Sequence, residues 1–307
     1  MTAAISTSQV TLRSGRVRRA LLLTGLGVFG GLLLAVLWSA DLVDDQIGQN
    51  VATGVLGHNA QNTAINTATG GAVFALVSGF AGTFTACNVA VFGALPDVTA
   101  CSSARSRLAA ALAPIGWMIT GLVTVSALYG VIAVLLGHDL PQLSTRLLSD
   151  GIPVRLVQSM IAFGIVGLTF GYLGLTSLGL LRDPLAGRPR TRMVVLGALV
   201  GAFLIGRPYP LFHKLVDYAV GTHNPLIGAL TFALQSFGNV LLVLALGLVF
   251  AWLARGRAGR WLAEPGHTAA IAGVALIALG TFLLVYWDIR LPSHFGYGWF
   301  PTMPWNS

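Results

Sequence analysis

The chain has 307 residues, of which 55% are hydrophobic and only 9% are charged, whereas about a quarter of the residues in an average soluble domain are charged. This composition disfavours a water-soluble enzyme, and a mean hydropathy of +0.79 is typical of a protein that meets lipid. The two cysteines, Cys87 and Cys101, exclude a disulfide-rich scaffold and a cysteine-rich metal cluster. The net charge of +8 lies in short basic clusters between apolar runs, which indicates membrane orientation rather than nucleic-acid binding.

Uncharged runs that can cross a bilayer, which takes about 17 to 25 helical residues, predict six membrane spans. They cover residues 20–40, 69–96, 108–137, 156–181, 225–254 and 268–287. A further run, 193–206, is short and meets Arg207 and Pro208, so we predict a seventh span that breaks before it finishes crossing. The expected fold is an all-α, polytopic transmembrane bundle of seven helices.

The charges between the spans predict a cytoplasmic N-terminus and an external C-terminus in the cell's inner membrane. Arginines cluster before the first span and after the second, fourth and sixth spans, whereas most aspartates fall in the alternate segments, as the positive-inside bias requires. The first span also has the charged start of a signal peptide. Its apolar run, however, is longer than the roughly 7 to 15 apolar residues of a signal peptide, and Trp38 occupies a position where a cleavage site needs a small residue. We therefore predict that the first span is a membrane anchor.

Two external segments flank the bundle in this topology. The polar segment 41–68 is too short for a domain and predicts a cap or a short interfacial helix. The tail 291–307 carries several aromatic residues between prolines, which fits an aromatic belt at the membrane surface or a docking surface for an external partner. These residues are Phe295, Tyr297, Trp299, Phe300 and Trp305.

A weak internal similarity divides the remaining six spans into two sets of three, 69–181 and 182–290, that follow an N-terminal unit, 1–68. It aligns residues 79–87 of the second span with residues 201–209 of the fifth. Because three is odd, the two sets must insert with opposite orientation. Inverted repeats place the working site where the halves meet, near interrupted helices, which here are the second and fifth spans. A glycine ladder in the fourth span, which begins at Gly164, is best read as close helix packing.

The second span carries the most distinctive motif. Its sequence TFTACNVAVFGALP places Cys87 and Asn88 inside an apolar helix that ends at Pro96. A lone membrane cysteine is usually a packing residue. This stretch, however, resembles the first cysteine helix of the CcdA and DsbD-type transmembrane reductases. The segments GRPYPLF, residues 206–212, and NPLIGALTFALQSFGNVLLVLALGL, residues 224–248, resemble the second cysteine element of that family and the helix after it.

The resemblance covers about residues 69–288 and implies a CcdA-like carrier of thiol reducing equivalents for cytochrome c biogenesis. The partner would be a thioredoxin-like protein or a cytochrome, and electrons would pass through Cys87. The family uses two helix cysteines, but Tyr209 stands at the second position here. Cys101 could replace it only if the chain folds back, because one continuous helix would separate Cys101 from Cys87 by about 21 Å. Otherwise Cys87 would form an intermolecular mixed disulfide.

A small-solute or ion transporter of inverted-repeat type is the alternative. Its gates would be the breaks at Pro96 and Pro208, and its polar lining would include Arg207, Gln235 and Asn239, the last two on one helix face. Arg207 could instead extend to the interface, or bind an anion in a pocket with Tyr209, His213 and Lys214. Gln235 and Asn239 could also bond to a neighbouring helix, with Asn88 near them.

The sequence contains no motif for metal binding, phosphate binding or nucleophilic catalysis. The six histidines are scattered, and no spacing predicts a metal site, a phosphate loop or a nucleophile elbow, so we expect no cofactor and no nucleic-acid partner. A third possibility is a non-catalytic membrane subunit with the family fold, which Tyr209 favours.

Overall fold

The computed structural model describes residues 3–39, 41–82, 104–148, 151–206, 210–253, 265–301 and 303–305. Within these ranges the chain is helical, and the only β interaction is an isolated bridge between Leu147 and Pro153. The all-α prediction is therefore confirmed for the part of the chain that the structure describes.

Ten α-helices occur in the described residues, with short π-helical segments at two places. The helices are α1 Ala3–Leu37, α2 Gln49–Leu56, α3 Ala68–Ala81, α4 Ala104–Leu136, α5 Val154–Ser177, α6 Pro189–Gly206, α7 Pro210–Gly221, α8 Pro225–Leu253, α9 Pro265–Val285 and α10 Leu291–Ser293. The π-helical segments are Asp41–Gly48 and Tyr286–Arg290. The predicted short helix of the polar segment corresponds to α2 and the π-helical segment before it.

Five helices in the described part of the chain are long and apolar enough to cross a membrane. Their spans are Val17–Leu37, Pro114–Asp139, Val154–Ser177, Pro189–Gly206 and Gly266–Ser293. The other two predicted spans correspond to apolar stretches that the structure describes over fewer than 18 residues, Ala68–Ala81 in α3 and Pro225–Leu241 within the longer α8. Residues 83–96 of the predicted second span lie outside the described residues. The protein is a multi-pass membrane protein with five such helices among the described residues, and the predicted count of seven is not confirmed.

The fifth predicted span differs from the expectation. We predicted that 193–206 is too short to cross, but α6 begins at Pro189 and is long enough to do so. Proline is well suited to the first turn of a helix, and Arg190 and Arg192 in that turn had excluded it from an uncharged run. The described part of the helix reaches Gly206, and residues 207–209, where we predicted the break, lie outside the described residues. The amphipathic helix α7 that follows was not predicted.

The helices pack in a row. Helix α1 packs on α9, α9 on α5, α5 on α6, α6 on α4, α4 on α8, and α8 on α3, while α7 contacts α3, α4 and α8. The close contacts of Gly27 with Ile277 and of Gly31 with Thr281 make α1 and α9 parallel. The reciprocal contacts between Gly174 and Gly273 and between Gly167 and Gly280 make α5 and α9 antiparallel. The glycine ladder of the fourth predicted span thus packs closely, as predicted.

The remaining contacts complete the directions of the helices. Helices α1, α4, α6 and α9 run from what we call the N-terminal face, where α1 begins, to the C-terminal face, and α5 and α8 run back. At its start α3 contacts α7, where Gly71 meets Tyr218, and further along Gly79 meets Gln235 in α8. Helix α3 therefore starts at the C-terminal face, because α7 follows the end of α6. Helices α3 and α6, which begin the two predicted sets, run in opposite directions.

Two aromatic clusters form the core. One lies among α5, α6 and α9, where Phe163 stacks on Trp287 with 4.2 Å between ring centroids. The other lies where α4, α7 and α8 meet, and there Tyr129, Phe212 and Phe232 contact one another with centroid distances of 5.3 to 6.3 Å. The second cluster fixes α7 against the end of the bundle.

Candidate functional site

Helices α3 and α8 cross with their backbones in contact. A side chain at Gly79 would collide with the carbonyl oxygen of Gln235, and one at Gly238 would collide with the carbonyl oxygen of Leu76. Small residues that face each other in this way let two helices approach closely in a membrane. The crossing therefore requires glycine at both positions.

Helices α6 and α4 cross in the same manner. A side chain at Gly197 would collide with the carbonyl oxygen of Met118, and one at Gly121 would collide with that of Val194. Position 197 in α6 thus has the environment that position 79 has in α3, and position 121 in α4 has that of position 238 in α8. The contacts therefore pair residue 79 with residue 197. The sequence alignment pairs residue 79 with residue 201, which is about one helical turn away from residue 197.

Polar side chains are buried beside the crossing of α3 and α8. The hydroxyl oxygens of Ser126 and Ser236 lie 2.5 Å apart and join α4 to α8. Gln235 is fully buried, and neither its amide oxygen nor its amide nitrogen has a hydrogen-bond partner within the described residues. The buried hydroxyl of Ser78 is unpaired in the same sense. Buried polar groups without hydrogen bonds cost free energy. Gln235 and Ser78 therefore make the crossing of α3 and α8 a candidate functional region.

A cavity opens at the C-terminal face, beside Gly206 of α6. Its volume is about 670 Å³, within the range of about 300–1,000 Å³ that small-molecule sites occupy. Polar residues of the loop before α3, the start of α5 and helix α7 line one part, and aromatic residues after α9 line another. The lining includes Gln61, Asn62, Gln142, Arg155, Ser159, His213, Lys214, Asp217, Trp287 and Phe295.

Helix α5 builds the floor of this cavity. The side chain of Ser159 donates a hydrogen bond of 2.6 Å to the carbonyl oxygen of Gly206, and the amide nitrogen of Gln158 donates to that of Ile205. The last carbonyl groups of a helix have no partner within the helix. These two side chains supply the partners, and so they stabilise the end of α6 that the sequence predicted as a break.

Lys214 fastens the loop before α3 to the cavity rim. Its ammonium group donates to the carbonyl oxygens of Ala60 at 2.7 Å, Gln61 at 3.0 Å and Thr63. The nitrogen also lies 5.0 Å from the centroid of the Phe74 ring. Burial lowers the pKa of Lys214. Because three bonds use all its donors, Lys214 holds the loop and is not the anion contact that we considered.

The other charged groups of the cavity surround His213. Arg155 is exposed at the start of α5 and makes no side-chain hydrogen bond or ion pair within the described residues. Burial, and then the charge of Arg155, lower the pKa of His213, while Asp217 acts in the opposite direction. His213 is therefore neutral at pH 7. The cavity thus combines Arg155, a cation without an ion pair in the described residues, with the neutral imidazole of His213 and the carboxylate of Asp217.

Most of the predicted site residues lie outside the described residues. These are Cys87, Asn88, Pro96, Cys101, Arg207, Pro208 and Tyr209. The two that the structure describes, Gln235 and Asn239, are both buried in α8 and lie at the crossing with α3. The sequence reasoning missed Ser126 and Arg155, because a serine within an apolar helix and an arginine at a helix start give no spacing signal.

No group of three or more histidine, cysteine or acidic side chains is placed to hold a metal ion within the ranges described above. No family model, no curated protein and no solved structure matches the chain. The class of the protein rests on its fold and its long apolar helices, which make it a multi-pass integral membrane protein. It has a polar cavity at the C-terminal face.

Proposed function

We propose that the protein is a CcdA-like membrane carrier of thiol reducing equivalents, built as an N-terminal helix followed by two inverted three-helix units. The observation that carries the proposal is the shared register of the two glycine crossings, in which Gly79 and Gly197 occupy equivalent positions. In this arrangement α3, α4 and α5 form one unit, and α6, α8 and α9 form the other.

The packing supports this division. In the two units α3 corresponds to α6, α4 to α8, and α5 to α9. The contact of α3 with α8 therefore corresponds to the contact of α6 with α4, and both contacts occur. The same correspondence leaves the pairs of α4 with α8 and of α5 with α9 unchanged, and these also occur. Helices α3 and α6 run in opposite directions, as units of three helices require. Transport and electron transfer in inverted repeats both take place between the units.

The proposed chemistry is thiol-disulfide exchange at Cys87. The Cys87 thiolate attacks a disulfide of an external thioredoxin-like protein or cytochrome partner, which forms a mixed disulfide and releases one partner thiolate. A second thiol, either Cys101 or that of a cytoplasmic donor, then attacks Cys87 and releases the other partner thiolate. Two thiols are oxidised to one disulfide and the partner disulfide is reduced to two thiols, so two electrons move and the balance is complete.

Exchange with a defined disulfide tests this proposal. The purified, reduced protein is mixed with glutathione disulfide, and free thiols are counted with a maleimide mass label. We expect the Cys101→Ser variant to accumulate a mixed disulfide with glutathione at Cys87, and the Cys87→Ser variant to form much less. A Cys87 thiol that stays fully reactive with maleimide after this treatment contradicts the proposal.

A second candidate function is the binding and transport of a small solute, which the cavity at the C-terminal face favours. Its uncompensated Arg155 suits a carboxylate group, and its aromatic wall, which includes Trp287, suits an apolar body. On this alternative Arg155→Gln abolishes uptake into proteoliposomes, while Cys87→Ser leaves uptake intact. If neither change affects activity, the remaining alternative is a non-catalytic membrane subunit of the same fold, which Tyr209 in place of the second family cysteine favours.

A further inference from the structure

A second cavity, of about 370 Å³, opens at the N-terminal face. It lies between the residues around Pro114 in α4 and the first turn of α6, and the segment 183–187 closes one side. Its walls combine apolar and basic side chains. The lining residues are Pro114, Trp117, Asp183, Leu185, Ala186, Gly187, Pro189, Arg190, Arg192 and Met193.

This cavity lies at the boundary of the membrane. The apolar span of α6 begins at Pro189, directly before Arg190 and Arg192, and all three residues line the cavity. The hydrocarbon core therefore starts at its level, and the headgroups of the lipids lie beside it. Trp117 is 41% exposed, and tryptophan is enriched at this depth because its ring is amphipathic.

One of the two lining arginines is neutralised within the protein. Arg192 donates a hydrogen bond of 2.6 Å to the hydroxyl of Ser177 and forms an ion pair of 3.5 Å with Asp183. A second oxygen of Asp183 accepts a bond of 2.8 Å from the backbone of Leu185. Asp183, the one acidic residue among the described residues that line the cavity, thus serves Arg192 and the fold of the 183–187 segment.

The other lining arginine keeps its full charge. The guanidinium carbon of Arg190 lies 5.6 Å from the centroid of the Trp117 ring, and Arg190 has no ion pair within the described residues. Arg188, two residues earlier, is exposed and adds a second positive charge at the rim. Stacking on Trp117 leaves the edge of the Arg190 guanidinium, with its donors, available to an anion.

We propose that this cavity binds the phosphate of an anionic phospholipid such as phosphatidylglycerol. Arg190 donates hydrogen bonds to the phosphate, and the first part of the acyl chains lies against Trp117 and the apolar wall. A lipid is favoured over a soluble anion because the basic group and the apolar wall meet at the level where the membrane span of α6 begins. The site is at the opposite face from the polar cavity and is independent of the proposed thiol chemistry.

The test compares thermal unfolding of the whole protein in three kinds of detergent micelle. The first sample contains phosphatidylglycerol in the micelles, and the second contains phosphatidylcholine with the same acyl chains. The third has micelles without lipid in a buffer that contains inorganic phosphate. We expect phosphatidylglycerol alone to raise the unfolding midpoint and to be retained as a bound lipid in native mass spectrometry. Equal midpoints in the two lipids, or an equal rise with inorganic phosphate, overturn the proposal.

Two variants localise the effect. Arg190→Gln removes the charge of an exposed side chain and is expected to remove the difference between the lipids and the retained lipid. Arg182→Gln removes the same charge from an exposed residue that directly precedes the 183–187 segment and does not line the cavity, and is expected to keep both. If Arg182→Gln lowers the lipid response as much as Arg190→Gln, the attraction is diffuse and the site is refuted.

Discussion

The guanidinium of Arg290 donates a hydrogen bond of 2.6 Å to the carbonyl oxygen of Ala35, and a second bond of 2.7 Å reaches that of Trp38. These residues lie at the end of α1, where helix carbonyls lack partners within the helix. Arg290 is itself buried and lies 5.1 Å from the centroid of the Tyr286 ring. A charge at the end of α9 thus joins the N-terminal helix to the rest of the bundle.

The first prediction concerns this join. Arg290→Met should lower the free energy of unfolding by about 2–4 kcal/mol, because it leaves the buried carbonyl group of Ala35 and the partly buried one of Trp38 without a charged donor. Thermal and denaturant unfolding in detergent measure the loss. The control is Trp305→Phe, which removes only an exposed bond of 3.3 Å to Leu37 and should change stability by less than about 0.5 kcal/mol. An Arg290→Met variant as stable as the parent contradicts the assigned role.

The second prediction concerns the two glycine crossings. Gly79→Ala and Gly197→Ala should each lower the free energy of unfolding by about 1–3 kcal/mol, because the new methyl group meets backbone that cannot move aside. The matched control is Gly171→Ala in α5, where an added Cβ meets nothing within 4 Å, and helix propensity should raise stability by about 0.5–1 kcal/mol. Unequal losses at positions 79 and 197 would argue against their equivalence.

The third prediction is a pH dependence at the C-terminal cavity. Because the pKa of His213 is lower in the folded protein than its ordinary value, the unfolded chain binds the proton more tightly, and stability falls as pH drops through about 6.5. His213→Asn should make this part of the pH profile flatter. Unfolding midpoints between pH 5 and pH 8 measure the effect, and His223→Asn, at the exposed end of α7, serves as the control. A profile unchanged by His213→Asn refutes the prediction.

The fourth prediction concerns Gln235. Gln235→Met should leave the free energy of unfolding unchanged or raise it by about 1 kcal/mol, because it replaces two polar atoms that are unpaired within the described residues by an apolar group of similar size. Gln235→Glu should instead be strongly destabilising, because it buries a charge. Unfolding in detergent measures both. A loss above about 1 kcal/mol in Gln235→Met would show that the amide has a structural partner.

The local features of the fold could be predicted from the sequence. Runs of apolar residues identified the helices because hydrocarbon admits only backbone that satisfies its own hydrogen bonds. The break predicted from Arg207 and Pro208 lies outside the described residues and stays a prediction. The prediction failed at the start of α6, because a search for uncharged runs excludes arginines that the first turn of a helix can place at the membrane surface.

The candidate sites depended on contacts between distant parts of the chain. The sequence placed Gln235 and Asn239 on one face of a helix, but it could not say that this face meets Gly79, nor that Ser126 bonds to Ser236. It also proposed Lys214 as an anion contact, whereas the loop carbonyls take all three of its donors. Partners separated by a hundred or more residues leave no local periodicity to read.

By itself, the sequence determined that this chain is helical and lies in a membrane, because the cost of exposing polar backbone or charge to hydrocarbon acts on every short segment separately. Only the tertiary structure decided the order of the helices in the row, the shared register of Gly79 and Gly197 and the two cavities. Those features depend on which surfaces fit together at backbone distance, and shape complementarity is a property of pairs of helices and not of either one alone.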